Sequence, residues 1–141
     1  AALGETAGGD MRKAITTLQS ASRLYGKTVT GSQITELSGA VPAELIERLL
    51  TSCRTGPFDK CQKEVKGLVM AGYPALQVLA QTLALVLGSR DIADEAKARV
   101  ARRYAEADKC LADGADELLQ LLDCASLLMC ALTGADQQKQ W

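Results

Sequence analysis

The residues best placed for chemistry stand near the start of the chain, in the stretch GGDMRKAI at residues 8–15. The two glycines end the segment before them, and Asp10 can cap a new helix by accepting hydrogen bonds from its first free N–H groups. Arg12 then lies in the first turn of that helix, where the positive end of the helix dipole disfavours a cation. A bound anion would favour the charge there, so Arg12 is a candidate anion-binding residue. The alternative is an ordinary solvated arginine.

Beyond Arg12 the chain offers little that could carry out a reaction. It has no histidine, no nucleophile beside a base and no glycine-rich phosphate loop, so no catalytic residue is predicted. Its five cysteines contain no Cys-x-x-Cys pair, which favours buried free thiols over a zinc site. The net charge of −1 gives no global field towards nucleic acid or an acidic membrane. The apolar run from Val78 to Leu87 is too short to span a bilayer.

Five cations cluster between residues 97 and 109, but acidic residues interrupt them at spacings of three or four. Such spacings form ion pairs along one helix, whereas a nucleic-acid surface needs several cations on one face. The pattern therefore favours a solvated, salt-bridged surface over DNA binding. The cations are Lys97, Arg99, Arg102, Arg103 and Lys109.

The last apolar segment, residues 118–132, carries more large side chains than a single buried stripe needs. A five-helix domain can hide one such helix in its centre, and the nearly all-apolar residues 74–87 are expected to take that place. The surplus predicts that the last helix packs partly against a neighbouring subunit. The alternative is that both helices are internal. The predicted interface residues are Leu118, Leu121, Leu122, Leu128 and Met129.

Apolar spacing and the placement of glycine and proline predict helices throughout and no strand. The helix of Arg12 runs from about Met11 to Tyr25, with one core-facing apolar stripe. Thr30–Gln33 has the form of a capping box and predicts a short helix that ends at Gly39. The predicted stripe comprises Met11, Ala14, Ile15, Leu18, Ser22 and Tyr25.

Five further helices are predicted after a domain boundary in residues 39–42, separated by glycine and proline breaks. Asp91 is predicted to cap a long, charged helix that reaches about Leu111. The polar end of the chain predicts a disordered tail. The predicted segments are residues 1–39, residues 40–133 and the tail at residues 134–141.

The GGDMRKAI stretch resembles the sensor-2 motif of AAA+ ATPases, which opens a helix of the small lid domain. In that family the arginine at the position of Arg12 reaches the terminal phosphates of ATP held on the neighbouring core domain. The resemblance therefore implies that Arg12 contacts ATP, with Mg, in an intact subunit. Three further stretches resemble the carboxyl-terminal part of replication factor C small subunits: Leu37–Pro42, Gly56–Asp59 and, most specifically, Ala107–Leu121.

The motifs of the ATPase core are absent from the sequence: there is no phosphate-binding P-loop, no apolar run ending in paired acids and no Ser-Arg-Cys finger. The resemblance thus implies a fragment that binds no cofactor alone, whereas the intact complex would be a DNA-dependent ATPase. Residues 1–39 would be the end of an AAA+ lid. Residues 40–133 would be the helical collar domain through which the subunits assemble.

The resemblance also implies a place in a heteropentameric clamp loader that acts in DNA replication and repair in the nucleus. The expected partners are the other replication factor C subunits and, through the whole complex, PCNA and primer-template DNA, with no membrane contact. Two alternatives stay open. One is another AAA+ ATPase, which would carry a different carboxyl-terminal domain such as a winged helix. The other is a free-standing helical adaptor in which Arg12 has no special role.

Overall fold

The structure is a computed structural model, and it describes residues 2–134 apart from the side chain of Glu5. These residues form eight α-helices and no strand, which confirms the predicted all-α fold. None of these helices has the length and apolar character that a membrane crossing requires. The helices are α1 (Ala2–Ala7), α2 (Met11–Tyr25), α3 (Gly31–Leu37), α4 (Ala43–Thr55), α5 (Phe58–Met70), α6 (Ala75–Gly88), α7 (Asp94–Ala112) and α8 (Glu117–Thr133).

The helices divide between two compact units, and the division falls after Pro42. Unit 1 contains α1 to α3, and unit 2 contains α4 to α8. This division falls at the end of the boundary stretch predicted from the sequence, residues 39–42, although the predicted segments are divided after Gly39. The predicted disordered tail lies outside the described residues except for Gly134, which ends α8 in the left-handed conformation with φ of 70°.

Unit 1 is a group of three helices in which each pair packs together. α2 begins where predicted, because Asp10 Oδ1 accepts hydrogen bonds from the backbone N–H of Arg12 at 2.9 Å and of Lys13 at 3.1 Å. α3 begins with the predicted capping box, in which Gln33 N–H donates to Thr30 Oγ1 and Thr30 N–H donates to Gln33 Oε1. Side chains close in sequence therefore set both helix starts.

The apolar stripe of α2 is exposed, which corrects the prediction that it faces the core. Met11 is 73 % exposed and Ile15 is 52 % exposed, whereas Ala21 is fully buried. α1 and α3 have six and seven residues against the fifteen of α2, so they cover one side of it. α1 and α3 can approach α2 more closely on the side that carries small residues such as Ala21. We call the exposed stripe the α2 face; it consists of Met11, Ile15, Leu18 and Tyr25.

In unit 2 the central helix is α8, which packs against α4, α5, α6 and α7. The prediction that residues 74–87 form the central buried helix is therefore wrong. α6 packs against α4, α7 and α8 and leaves Leu76, Leu85 and Leu87 nearly half exposed. Both helices are apolar nearly all round, so periodicity could not decide which of them takes the centre.

The core of unit 2 combines apolar residues from all five of its helices. The buried hydroxyl groups of Ser52 and Thr82 bond within their own helices: Ser52 Oγ donates to the Leu49 carbonyl and Thr82 Oγ1 donates to the Val78 carbonyl, both at 2.7 Å. No buried side-chain nitrogen or oxygen of the described residues lacks a hydrogen-bond partner. The core includes Ile46, Leu49, Val65, Leu68, Val78, Val86, Val100, Tyr104, Leu121 and Leu128.

α7 begins two residues later than predicted, because Asp91 does not cap it. The N-cap position is Ala93, which provides no side-chain hydrogen bond, and the N–H of Asp91 instead donates to Ser89 Oγ at 3.4 Å. The first turn carries Asp94 and Glu95. Carboxylates there are stabilised by the positive end of the helix dipole, which supports the helix start in place of a cap.

Two buried groups of unit 2, the Cys124 thiol and the Tyr104 hydroxyl, predict that the unit loses stability at alkaline pH. Burial raises the pKa of the Cys124 thiol from 9.0 to about 11, and burial also raises the pKa of the Tyr104 hydroxyl. The unfolded chain releases these protons at a lower pH than the folded chain. The free energy of unfolding is therefore highest below the unfolded pKa and falls as the pH rises from about 9 to about 11.

Urea unfolding followed by circular dichroism, in reductant and at a series of pH values, measures this decline. Each group contributes at most about 1.4 kcal/mol per pH unit. The variant Cys124→Ala has no thiol at this position, so its unfolding free energy should fall less steeply over the same range. If the unfolding free energies of the two proteins fell equally steeply with pH, the assignment of part of this decline to Cys124 would be contradicted.

The cap of α2 gives a second prediction. Asp10→Ala removes the acceptor for two backbone N–H groups, and we expect unit 1 to lose about 1 kcal/mol of stability. Amide hydrogen exchange at Arg12 and Lys13 should become faster, because these are the capped N–H groups. Asp10→Asn keeps an acceptor and is the matched control; exchange as fast as in the alanine variant would argue against the cap.

Candidate functional site

Arg12 follows the turn that joins α1 to α2. Gly8 and Gly9 form this turn with φ of 57° and 89°, where L side chains are strained, so the turn depends on both glycines. The backbone of Arg12 is held by Asp10 on one side and by Thr16, whose Oγ1 donates to the Arg12 carbonyl at 2.8 Å, on the other. The Arg12 side chain is exposed and makes no ion pair with a described side chain. A fixed helix start thus presents a cation to solvent.

The α2 face borders Arg12 along the same helix. Met11 directly precedes Arg12, and Ile15 follows it by less than one turn, so a cation and a large apolar surface lie side by side. Such a surface could contact a second protein surface and an anion held on it. The role of Arg12 at an ATP phosphate stays a prediction.

The five predicted interface residues of α8 lie in two different environments. Leu121 and Leu128 are 3 % and 1 % exposed and belong to the core of unit 2, which corrects the prediction for these two side chains. Leu118, Leu122 and Met129 are half-buried, and their part in an interface stays a prediction. The surplus of apolar residues on α8 is explained by its contacts with four helices of its own unit.

An apolar surface that the sequence reasoning missed lies on α6. This helix contains fourteen residues and no charge, and its outer side exposes Leu76 and Leu87 by nearly half. Ala101 and Ala105 of α7 lie beside it, and the two helices border a groove with a volume of about 330 Å³. The signal was present in the sequence, since an uncharged helix that is not central must turn apolar residues outwards.

Four of the five cations in the basic cluster of α7, all except Lys109, are paired with acids within the described part of the chain, in keeping with the spacing of the charges. Lys97 Nζ lies 3.6 Å from Asp94, and Arg102 Nε lies 3.2 Å from Glu106. Exposed pairs of this kind contribute little stability. They do reduce the net positive charge that a nucleic-acid phosphate would meet, so this geometry supports a solvated, salt-bridged surface.

Arg103 of the same cluster serves inside unit 2 by linking α7 to α8. Its guanidinium binds the carboxylate of Asp123 and donates to Gln120 Oε1 at 3.1 Å. Partial burial is the largest single influence and opposes the charge, but the hydrogen bond to Asp123 and the negative charges around Arg103 together outweigh it and raise the pKa of Arg103. The Arg103 guanidinium is therefore already paired within unit 2.

Three of the five cysteines are the buried free thiols that the sequence predicted. Cys53 of α4 and Cys61 of α5 are fully buried with their Sγ atoms 3.4 Å apart, and the contact with Cys61 together with burial raises the pKa of Cys53. Cys124 is the third buried thiol, and Cys110 and Cys130 are half-buried. Within residues 2–134 no group of three or more potential ligands is placed to hold a metal ion.

The sequence matches a family model described as Replication factor C C-terminal domain over residues 41–126. The matched range begins two residues before α4 and ends inside α8, so it corresponds to most of unit 2. The family domain and unit 2 thus share residues 43–126.

Curated relatives match most of the chain. It is 47 % identical over 132 residues to Replication factor C subunit 2 of rice (Oryza sativa subsp. japonica), 49 % identical over 126 residues to subunit 4 of Arabidopsis thaliana and 44 % identical over 122 residues to subunit 4 of Homo sapiens. These alignments cover 94 %, 89 % and 86 % of this chain but 39 %, 37 % and 33 % of the relatives. Relatives named subunit 2 and relatives named subunit 4 match this chain to a comparable degree. The chain therefore belongs to the replication factor C family and contains that family's carboxyl-terminal domain.

Proposed function

We propose that unit 2 is the collar domain of a clamp loader subunit, which joins it to the other replication factor C subunits in a heteropentamer. That complex would load PCNA onto primer-template DNA during replication and repair in the nucleus. The observation that carries this proposal is the family match over residues 41–126, which covers the five-helix unit almost completely. The exposed apolar surface of α6 supports a role in assembly.

Unit 1 is proposed to be the end of the AAA+ lid, which couples ATP binding to the conformation of the subunit. In the intact subunit, Arg12 would contact a terminal phosphate of ATP that is bound with Mg on the core domain. The capped helix start supports this role, because it fixes the backbone from which the exposed Arg12 side chain extends. The α2 face would pack against protein outside this chain.

An arginine that binds a phosphate on another domain connects nucleotide state to domain angle. When ATP is present, the pairing holds lid and core together; without the terminal phosphate this contact is lost, and the angle can change. In this proposal the chain carries out no hydrolysis itself. ATP hydrolysis belongs to the intact complex, which would be a DNA-dependent ATPase.

Two other functions, another AAA+ ATPase and a free-standing helical adaptor, are the alternatives to a clamp loader subunit. Another AAA+ ATPase would share the Arg12 helix, but the described residues contain no strand from which the hairpin of a winged helix could form. A free-standing helical adaptor would give Arg12 no role and would require no replication factor C partner. The family match favours the clamp loader over both.

Assembly provides the first test of the proposed function. When the 141-residue chain is co-expressed with the four other replication factor C subunits, it should copurify with them in a stoichiometric complex. Arg12→Ala should copurify equally well, because Arg12 is in unit 1 and the proposed collar is unit 2. A folded chain that stays separate from these subunits would favour the adaptor.

Nucleotide coupling provides the second test. In a complex containing the full-length subunit, Arg12→Ala should lower clamp-stimulated ATP hydrolysis and clamp opening by about tenfold, equivalent to about 1.4 kcal/mol of lost stabilisation. Lys13→Ala is the matched control, since Lys13 is the adjacent exposed cation on the same helix turn. Activity unchanged in the Arg12 variant would refute the sensor role.

A further inference from the structure

The outer side of α6 forms an apolar surface that is long enough for another helix to pack along it. Leu76 at its start and Leu87 near its end are 46 % and 49 % exposed, and Ala80 and Ala84 between them are exposed as well. Eleven residues separate the two leucines, which corresponds to about 16 Å along the helix axis. Three helix turns without a charge are therefore left at the surface of unit 2.

α7 turns this surface into a groove. Ala101 and Ala105 are one helix turn apart and face α6, and such small side chains leave space into which a large side chain of another helix can insert. The volume of about 330 Å³ is enough for several aliphatic side chains. We call this the α6–α7 groove; its lining includes Leu76, Ala80, Leu83, Ala101, Ala105 and Asp108.

Asp108 is the one charged residue of the groove lining. Its side chain is exposed and makes no ion pair with a described side chain, whereas the nearby cation Arg102 is already paired with Glu106. Asp108 also lies near the negative end of the α7 dipole, where an unpaired carboxylate is disfavoured. A cation supplied by a second chain would stabilise it.

We propose that the α6–α7 groove binds an amphipathic helix of a neighbouring replication factor C subunit. That helix would place a large aliphatic side chain over Ala101 and Ala105 and a lysine or arginine opposite Asp108. This inference rests on the proposed function, and it identifies the surface through which unit 2 joins its neighbour. It moves the predicted interface from α8 to α6 and α7.

The charge of the groove argues against a second copy of this chain as the occupant. In a two-fold symmetric dimer the same surface of both copies would meet. The lining contains a carboxylate and no cation, so two Asp108 side chains would be enclosed without a partner. Burying unpaired charges is costly. A different subunit can provide the complementary cation.

The test uses the 141-residue chain co-expressed with the four other replication factor C subunits, with copurification quantified. Leu76→Glu places a charge in the groove at a half-exposed position and should lower recovery in the complex at least tenfold. Asp108→Lys reverses the groove charge at an exposed position and should lower recovery about threefold or more. Circular dichroism and the thermal midpoint establish that both variants are folded.

Two variants with the same kind of change on other surfaces serve as matched controls. Leu119→Glu on α8 and Met70→Glu on α5 replace residues that are 64 % and 88 % exposed, and both should be recovered like the unmodified chain. Recovery lost with Leu119→Glu but kept with Leu76→Glu would place the interface on α8 and overturn the inference.

Three further outcomes separate the inference from the proposed function. If the unmodified chain does not copurify, the proposed function fails and the inference falls with it. If the unmodified chain and both groove variants copurify equally, the inference alone is wrong. If the chain by itself sediments as a dimer that Leu76→Glu dissociates, the occupant is a second copy, which also overturns the inference.

Discussion

The centre of a five-helix unit has room for one helix, and in unit 2 that helix is α8. Its side chains meet α4, α5, α6 and α7, so the surplus of large apolar residues is used within the unit. α6 is equally apolar and can bury only one of its sides. The apolar surface of α6 is therefore a result of packing geometry, because two predominantly apolar helices compete for one central position.

The same constraint explains how far the sequence could predict this structure. The starts of α2 and α3 were predictable, since Asp10 and the Thr30–Gln33 pair act on backbone groups within three residues. The start of α7 was not, because acids in the first turn replaced the expected cap at Asp91. The first residue of a helix can be predicted when one side chain caps it with a hydrogen bond. The first residue is ambiguous when the helix start is stabilised only by the interaction of acidic residues with the helix dipole.

Which side of a helix is buried depends on neighbours that are distant in sequence or lie on another chain. The α2 stripe has the spacing of a core face, yet α1 and α3 pack against the side that includes Ala21. Likewise, the all-round apolar pattern of α6 and α8 identifies two candidates for the centre and does not rank them. The position of Arg12 in the helix was predictable, whereas its proposed contact with a phosphate depends on atoms outside the chain.

The central place of α8 has a consequence for the synthesis of the protein. α4 with α5, and α6 with α7, are neighbours in sequence and can pair as soon as both have left the ribosome. Their common core lacks Leu121 and Leu128 until α8 emerges last. During translation unit 2 must therefore remain an open assembly of helical pairs with apolar faces accessible to chaperones. Its cooperative fold is completed by α8, the last of its five described helices in chain order.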